Sequence, residues 1–476
     1  MQAVEMRRKT TEFSRVSFCL LVAVLSLITV LVPQNGAAKS LTLNEALQMA
    51  MENNASLQKA RAELEEAEAV KKGVIGKFGP SLAIEGNLLY WNDAYDVDLM
   101  DYIRFRPDYA DLAQVMLTMI AEPLEPVELR SAQTSELSLT MIQPITPLLK
   151  VGEGYRAGKA GESAREQMEI RARRVVAYQT IENYLLLIRL RKLEEVAAQA
   201  QATIAAHVKQ AQDFFNAELI DKNQVLGAEV ALANAQQDLI RARSGVALVQ
   251  ARLSQIIGLP IDSQLELTEL GIVFPEQWEP SLEQSQSLAL EGRQEIAALT
   301  NKVRASRAKE NMAWWDMTPQ IVAIGRYKFS DGSMLSETEE GFVGLAVKWD
   351  LFNWGSNYYE VQAEKAKTRQ TEIEKRDAQN LIQLEVHKRF VEWESARQRF
   401  DVTEKTVGQA KENLRVQQLR FKENLATSVD VLDAQTLLSK ASSDTIAARY
   451  DMFLSLFALR LVVGENPYPT EDTQEE

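Results

Sequence analysis

The sequence is written twice, and this duplication limits the possible folds more than any other feature. Leu43–Gly86 aligns without a gap to Leu282–Gly325 at a constant offset of 239. Leu137–Gly258 aligns to Val343–Gly464 at an offset of 206. Pro80 meets Pro319, Gly86 meets Gly325, Val225-Leu226 meets Val431-Leu432, and Gly258 meets Gly464. The offsets differ by 33, so the first repeat carries that many extra residues within about Trp91–Thr134. A period of this kind marks one supersecondary block used twice. The boundaries expected are 39–258 for the first repeat, 259–281 for a linker, 282–464 for the second repeat and 465–476 for a short tail.

Each repeat reads as helix, strand, loop, strand, very long helix, tight turn and returning helix. The first helices are expected over Leu43–Lys72 and Leu282–Asn311. Strands are expected at about 81–91, 135–143, 320–329 and 341–349, where side chains alternate with a period of two. Leu82, Ile84, Leu88 and Tyr90 share one face, with Ser81, Glu85 and Asn87 opposite. Repeat two keeps the pattern: Ile321, Ala323, Tyr327 and Phe329 oppose Gln320, Arg326 and Lys328. Leu137, Leu139 and Met141, and likewise Val343, Leu345 and Val347, form the apolar faces of the remaining strands, with Lys348 on the polar side of the last. The long helices run from about Glu153 to Asn216 and Tyr358 to Lys422, roughly 100 Å each at 1.5 Å per residue. No compact core needs that length. The returning helices carry apolar residues at alternating spacings of three and four, from Leu232 to Ile256 and from Leu438 to Val462, which is a coiled-coil seam. The turns at 217–221 and 423–427 make antiparallel hairpins. With only 21 Gly and 13 Pro, the composition suits long helices.

The N-terminus reads as a secretory signal peptide over 1–38. Arg7, Arg8, Lys9 and Arg15 precede the apolar run Val16–Val32, and Gly36-Ala37-Ala38 supplies a small-residue cleavage site. Removing it takes away four basic and two acidic residues and moves the formal charge from −14 to −16. No second apolar run could span a bilayer, so any crossing must be made by strands. Strands in lipid must close into a barrel, and four are too few, since bacterial barrels start at about eight. Two to four chains would give about 8, 12 or 16 strands. The soluble alternative is a pair of half-buried hairpins packed on helices. The expected class is therefore mainly α with a β-barrel portion, built from a duplicated helix–strand–strand–long-helix–hairpin unit.

Leu41-Thr42-Leu43-Asn44-Glu45-Ala46-Leu47 with Asn53-Asn54, Met141-Ile142-Gln143-Pro144 at a strand-to-helix junction, and Phe421–Leu432 occur in this order within the duplicated unit. Together they resemble the TolC-like outer membrane efflux family over nearly all of 40–464. The resemblance implies a homotrimer whose four strands per chain complete a 12-stranded barrel in the outer membrane, continued by an α-helical barrel across the periplasm. It implies a passive channel of a tripartite efflux pump or type I secretion system. The partners would be a periplasmic adaptor protein, an inner-membrane pump reached indirectly, and outer membrane lipid. The hairpin tips, Glu218, Leu219 and Ile220 with Glu423, Asn424, Leu425 and Ala426, would meet the adaptor. The family's tips carry Val-Gly-Leu where this chain has Glu423-Asn424-Leu425. Asp430 and Asp433 would form an acidic periplasmic gate. Glu85, Asn87, Arg326, Lys328 and Lys348 would face the barrel lumen, and 91–134 would be an extracellular loop.

Other classes lack support in the residues. The net charge of −14 offers no basic footprint for nucleic acid. One cysteine, Cys19, excludes a disulfide framework. His207 and His387 lie in long helices with no His or Cys one turn away, so they read as surface or groove histidines rather than metal ligands. Gly152-Glu153-Gly154 with Gly158 lacks the ending of a phosphate loop and reads as a flexible junction. No triad, H-E-x-x-H or nucleotide fingerprint occurs, so no catalytic residue, metal or cofactor is expected. Thr427-Ser428-Val429-Asp430 is a capping box, with Asp221-Lys222-Asn223-Gln224 as its repeat-one version. Capping explains Asp430 but not Asp433, whose repeat-one counterpart is Gly227. The competing readings are a periplasmic coiled-coil adaptor, which would carry one hairpin between split β domains, and a structural coiled coil without a membrane barrel.

Overall fold

The computed structural model describes residues 41–97, 115, 126–268, 281–334 and 336–467. The expected signal peptide, 1–38, lies outside the described residues, as do 269–280 of the linker, 468–476 of the tail and much of the 91–134 insert. In chain order the elements are α1 (Leu43–Asn53), α2 (Ala55–Gly76), β1 (Ser81–Tyr90), β2 (Tyr95–Val97), β3 (Val127–Pro144), α3 (Pro147–Asn216), α4 (Lys222–Ile257), α5 (Leu282–Gly292), α6 (Gln294–Trp315), β4 (Gln320–Ser333), β5 (Glu339–Lys348), α7 (Ser356–Lys422) and α8 (Ser428–Val463).

Each repeat opens on two helices where one is expected. The break falls at Asn54 and, 239 residues on, at Arg293, both extended at ψ 124° and 128°. Asn54 stabilises its break locally. Its side chain accepts from Ser56 N at 2.9 Å, capping α2, and donates to Ile256 O at 3.0 Å. Arg293 has no capping oxygen and is held instead by carboxylates, Glu295 at 2.6 Å and Glu385. Thr42–Glu45 and Ser281–Gln284 form full capping boxes at the starts of α1 and α5.

The glycines expected at a flexible junction lie inside α3 instead, which begins with Pro at N1. Gly154 and Gly158 serve close packing, while Gly152 faces open space. A Cβ at Gly158 would sit 3.4 Å from Lys71 Cα on α2, and one at Gly154 would meet Val74 and Met312. Gly258 and Gly464, matched by the 206 offset, end α4 and α8 in left-handed geometry at φ 78° and 91°.

Three apolar clusters hold the helices together. The largest joins α1, α2, α3, α4 and α8 through Leu47, Leu57, Ile181, Leu185, Leu253 and Phe457. Within it, Tyr184 donates to the carbonyls of Leu41 and Thr268, fastening the start of the described chain and the linker to α3. A second joins α5, α6, α7 and α8 through Ile296, Val386, Trp393 and Leu459. The third lies at the hairpin tips, where Ala211, Val225, Leu414, Phe421 and Val431 bring both hairpins together.

The strands form one antiparallel sheet in the order β1-β3-β4-β5, with β2 on the outer part of β3. This excludes two hairpins packed separately on helices. Repeat one pairs with repeat two along β3 and β4, from Ser135↔Asp331 to Pro144↔Val322. The sheet is not covered by helices either: all ten residues of β1 are exposed. β3 is longer than expected, because its outer end, inside 91–134, pairs with β2 and irregularly with β4. Among the described residues, no helix is long and apolar enough to cross a membrane.

Candidate functional site

Register sorts the sheet's side chains into two faces. Directly opposed residues in an antiparallel pair share a face. One face carries the rows Leu82–Met141–Gly325–Val343 and Ile84–Leu139–Tyr327–Gly341. It is apolar and open, with Ile84 72%, Leu345 71% and Val343 90% exposed. The other face carries the rows Ala83–Thr140–Arg326–Phe342 and Glu85–Ser138–Lys328–Glu340. Glu85, Asn87, Arg326, Lys328 and Lys348 all lie on this second face. Arg326 donates to Thr140 Oγ1 at 3.2 Å, Lys328 pairs with Glu340 at 3.1 Å, and Lys348 with Asp350 at 3.7 Å. Leu89, Val322, Ile324 and Phe342 share that face, so its polarity is partial. β1 and β5 each have one free edge, a row of backbone donors and acceptors that a sheet in lipid must pair. Exposed aromatics gather at the helical end of the sheet: Trp314, Trp349, Phe352 and Trp354.

At the opposite end of the long helices the two hairpins turn tightly. Glu218 and Asn424 adopt positive φ there, and these are two of the three non-glycine residues that do so among the described residues. Leu219 and Leu425 are exposed at the tips, 52% and 68%, while Ile220 and Ala426 pack against the tip cluster. Glu218 and Glu423 are exposed beside them.

The start of α8 is the most constrained part of this end. Thr427 Oγ1 accepts from Asp430 N at 3.3 Å, and the Asp430 carboxylate accepts from Thr427 N and Oγ1, both at 2.7 Å. These bonds from the Thr427 side chain and backbone hold the Asp430 carboxyl below its ordinary value. Asp433 is exposed one turn further along, on the same side of the helix. The repeat-one version of the box does not close. Asp221 makes no side-chain cap, and Gln224 reaches across to accept from Ser428 N at 3.0 Å.

His207 corrects the sequence reading. It is not a surface histidine but is buried, with Nε2 2.8 Å from Ser428 Oγ and its ring 4.8 Å from that of Phe421. Burial holds its pKa below the ordinary 6.5, against the hydrogen bond with Ser428. Two repeat-one side chains, His207 and Gln224, therefore grip the first residue of α8. Sequence spacing missed this because the contact spans 221 residues. One sign was available: His207 corresponds to Asn413 in repeat two and Ser428 to Lys222 in repeat one, so neither half of the pair is duplicated.

Nearer the sheet, α2, α3, α6 and α7 border an open groove of about 600 Å³. Its charged walls are largely satisfied by ion pairs, Lys71–Glu162, Lys150–Asp316 and Arg165–Glu63. Among the described residues, no cluster of His, Cys, Asp and Glu could hold a metal.

Residues 286–465 match the family model described as outer membrane efflux protein. Over that stretch the chain is similar to the outer membrane efflux protein family. The matched part runs from within α5 to the end of α8 and includes β4, β5, Asp430 and Asp433. No curated protein sequence matches the chain. Solved structures share the fold of the whole. It is similar to the outer membrane channel CmeC of Campylobacter jejuni, with 16% identity, 91% of this chain and 88% of that one covered, and a TM-score of 0.75. It is similar to the outer membrane protein VceC of Vibrio cholerae, with 17% identity, coverage of 90% and 97%, and a TM-score of 0.72. It is also similar to the MtrE outer membrane channel of Neisseria gonorrhoeae, with 17% identity, coverage of 89% on both sides and a TM-score of 0.67. The fold shared with these channels thus extends beyond the family match, through repeat one and the joint sheet.

Proposed function

We propose that this chain is one subunit of a passive outer membrane channel that conducts cargo delivered by a pump and adaptor across the periplasm and the outer membrane. The observation that carries this reading is the sheet. It has an open apolar face, a partly polar face and two unpaired edges, so it is stable in lipid only as a segment of a larger closed barrel. Three chains supply four strands each, about 12 in all, within the known range of such barrels. Residues on the face of Glu85, Asn87, Arg326, Lys328 and Lys348 line the lumen. Trp314, Trp349, Phe352 and Trp354 sit at the lipid–water boundary, where amphipathic rings are favoured.

The helices complete the conduit. α4 presents Leu226, Val230, Ile240 and Leu248 to the outside, and α7 presents Ile373, Leu381, Leu384 and Val402. These stripes suit the seams between neighbouring copies in a helical barrel. The tips at 218–220 and 423–426 meet the adaptor, with Asn424 supplying the turn that glycine supplies in relatives and Glu423 adding a charge. Asp430 and Asp433 form the periplasmic gate, six carboxylates around the axis of a trimer. No step of this function is catalytic, because the energy comes from the partner pump.

Mass measurement of the protein purified in mild detergent tests the assembly. A trimer that migrates differently before and after heating, recovered in the outer membrane fraction, is expected. A monomer, or recovery in the soluble periplasmic fraction, overturns the reading.

A further inference from the structure

The gate reading leaves His207 unused, although it is a buried titratable group in contact with the residue that starts the gate helix. Ser428 is 1% exposed and is held from two sides, by His207 at its side chain and by Gln224 at its backbone. Asp430 and Asp433 follow within the next turn and a half of the same helix. Whatever fixes Ser428 fixes the direction in which those carboxylates point.

We propose that His207 is a positioning residue that latches the periplasmic entrance while its ring is neutral and releases it when the ring is protonated. The proposal rests on the reading of Asp430 and Asp433 as that entrance.

The surroundings give the direction of the switch. On α3, the positions one turn away are Thr203, Ile204, Gln210 and Ala211, none of them charged. Phe421 on α7 covers the ring, with Gln417 and Gln418 one turn before it. The charged groups nearest along these elements are Lys209 on α3, Asp221 and Lys222 at the start of α4, Arg420 and Lys422 on α7, and Asp430 on α8, and the balance at the ring is set by burial and Ser428 rather than by any of them. All six are exposed, and four are basic. The Asp430 carboxylate is already occupied by Thr427. An imidazolium at this position is therefore buried without a counter-charge, which the interior disfavours. The Ser428 bond by itself favours a charged ring, but burial outweighs it, so the ring gains a proton most easily by leaving the Phe421 contact for water, and the bond to Ser428 goes with it. Because the folded value lies below 6.5, the latch is intact above that pH and is lost as the pH falls through the folded value.

Full-length trimers in planar bilayers test this. For the wild type, the closed-state conductance should rise by about fivefold as the pH is lowered from about 7.5 through the folded value of His207, the population shift given by loss of one buried hydrogen bond. His207→Gln keeps a neutral hydrogen-bonding side chain, so it should stay closed and insensitive to pH over this window. Ser428→Ala leaves the ring but removes its partner, so it should already conduct more at the higher pH. A wild type indifferent to pH, a His207→Gln channel that still responds, or a Ser428→Ala channel as closed as wild type overturns the proposal. The paired variant Asp430→Asn with Asp433→Asn, measured in the same bilayers, separates the two readings. Unchanged cation selectivity there overturns the gate itself. Lost selectivity beside a pH-indifferent wild type overturns only the role of His207.

Discussion

Glu218 and Asn424, 206 residues apart, hold the same left-handed backbone conformation, at φ 60° and 59°. Each sits where a long helix of its hairpin ends and the chain turns back. Asparagine tolerates this region through its short polar side chain, but glutamate gains no such compensation. Glu218→Gly should therefore stabilise the hairpin by about 1 kcal/mol, and Asn424→Val should destabilise its partner by about 1–2 kcal/mol. Thermal unfolding of the detergent-solubilised protein, followed by helical circular dichroism, reads both. A Glu218→Gly variant that melts earlier than wild type would show that the side chain contributes more than its backbone strain costs.

The break between α5 and α6 should make the protein sensitive to acid. Burial opposes the charge on Glu295, but hydrogen bonds from Arg293 and Arg171 outweigh it and bring the carboxyl to about 2. The folded value lies below the unfolded one, so this contribution is complete above about pH 4.5 and is lost as the pH falls toward 2. Because the cluster is only partly shielded from water, its worth is about 1–3 kcal/mol. Glu295→Gln should lower stability by that amount at neutral pH and by little at pH near 2. Equal destabilisation at both extremes would mean that packing, not charge, is what the residue supplies.

Gly258→Ala tests the joint between the first repeat's returning helix and α1. The residue is left-handed, and a Cβ there would overlap the side chain of Asn53. The strain and the overlap together should cost about 2–4 kcal/mol. Gly227→Ala, in open space within α4, serves as the control and should be neutral or slightly stabilising. Comparable melting temperatures for the two variants would contradict this account of the joint.

Removing the acidic pair with Asp430→Asn and Asp433→Asn should reduce cation selectivity and weaken block by multivalent cations. Asp430→Asn alone should also loosen the capping box, at a cost of about 0.5–2 kcal/mol. Asp433→Asn alone should leave helix stability unchanged, since no hydrogen bond or ion pair to its side chain occurs among the described residues. Selectivity that follows Asp430 alone would assign the effect to the cap.

The 91–134 insert should lie outside the cell. Both of its ends emerge from the outer side of the sheet, where Arg130 stacks on the Trp91 ring at 3.9 Å and Trp91 donates to Thr134. Protease added to intact cells should cut within it. Protection of the loop together with cleavage at the hairpin tips would invert the topology.

The repeat, the alternation of the strands and the length of the helices were readable from the chain alone, because each is a periodic property of neighbouring residues. The offset of 206 pairs Gly258 with Gly464 and Glu218 with Asn424, and the structure shows both pairs left-handed, since duplicated backbone geometry keeps its register. The capping box at Thr427–Asp430 was legible for the same reason, being complete within four residues. What the sequence could not determine were the pairings between the repeats. The β3–β4 seam makes one sheet of four main strands, Gln224 abandons its own helix to hold Ser428, and His207 is buried against Phe421. None of these contacts has a period, and none is repeated at the second copy. They depend on how two similar halves, folded separately by local rules, come to rest against each other, and only packing of the whole chain decides that.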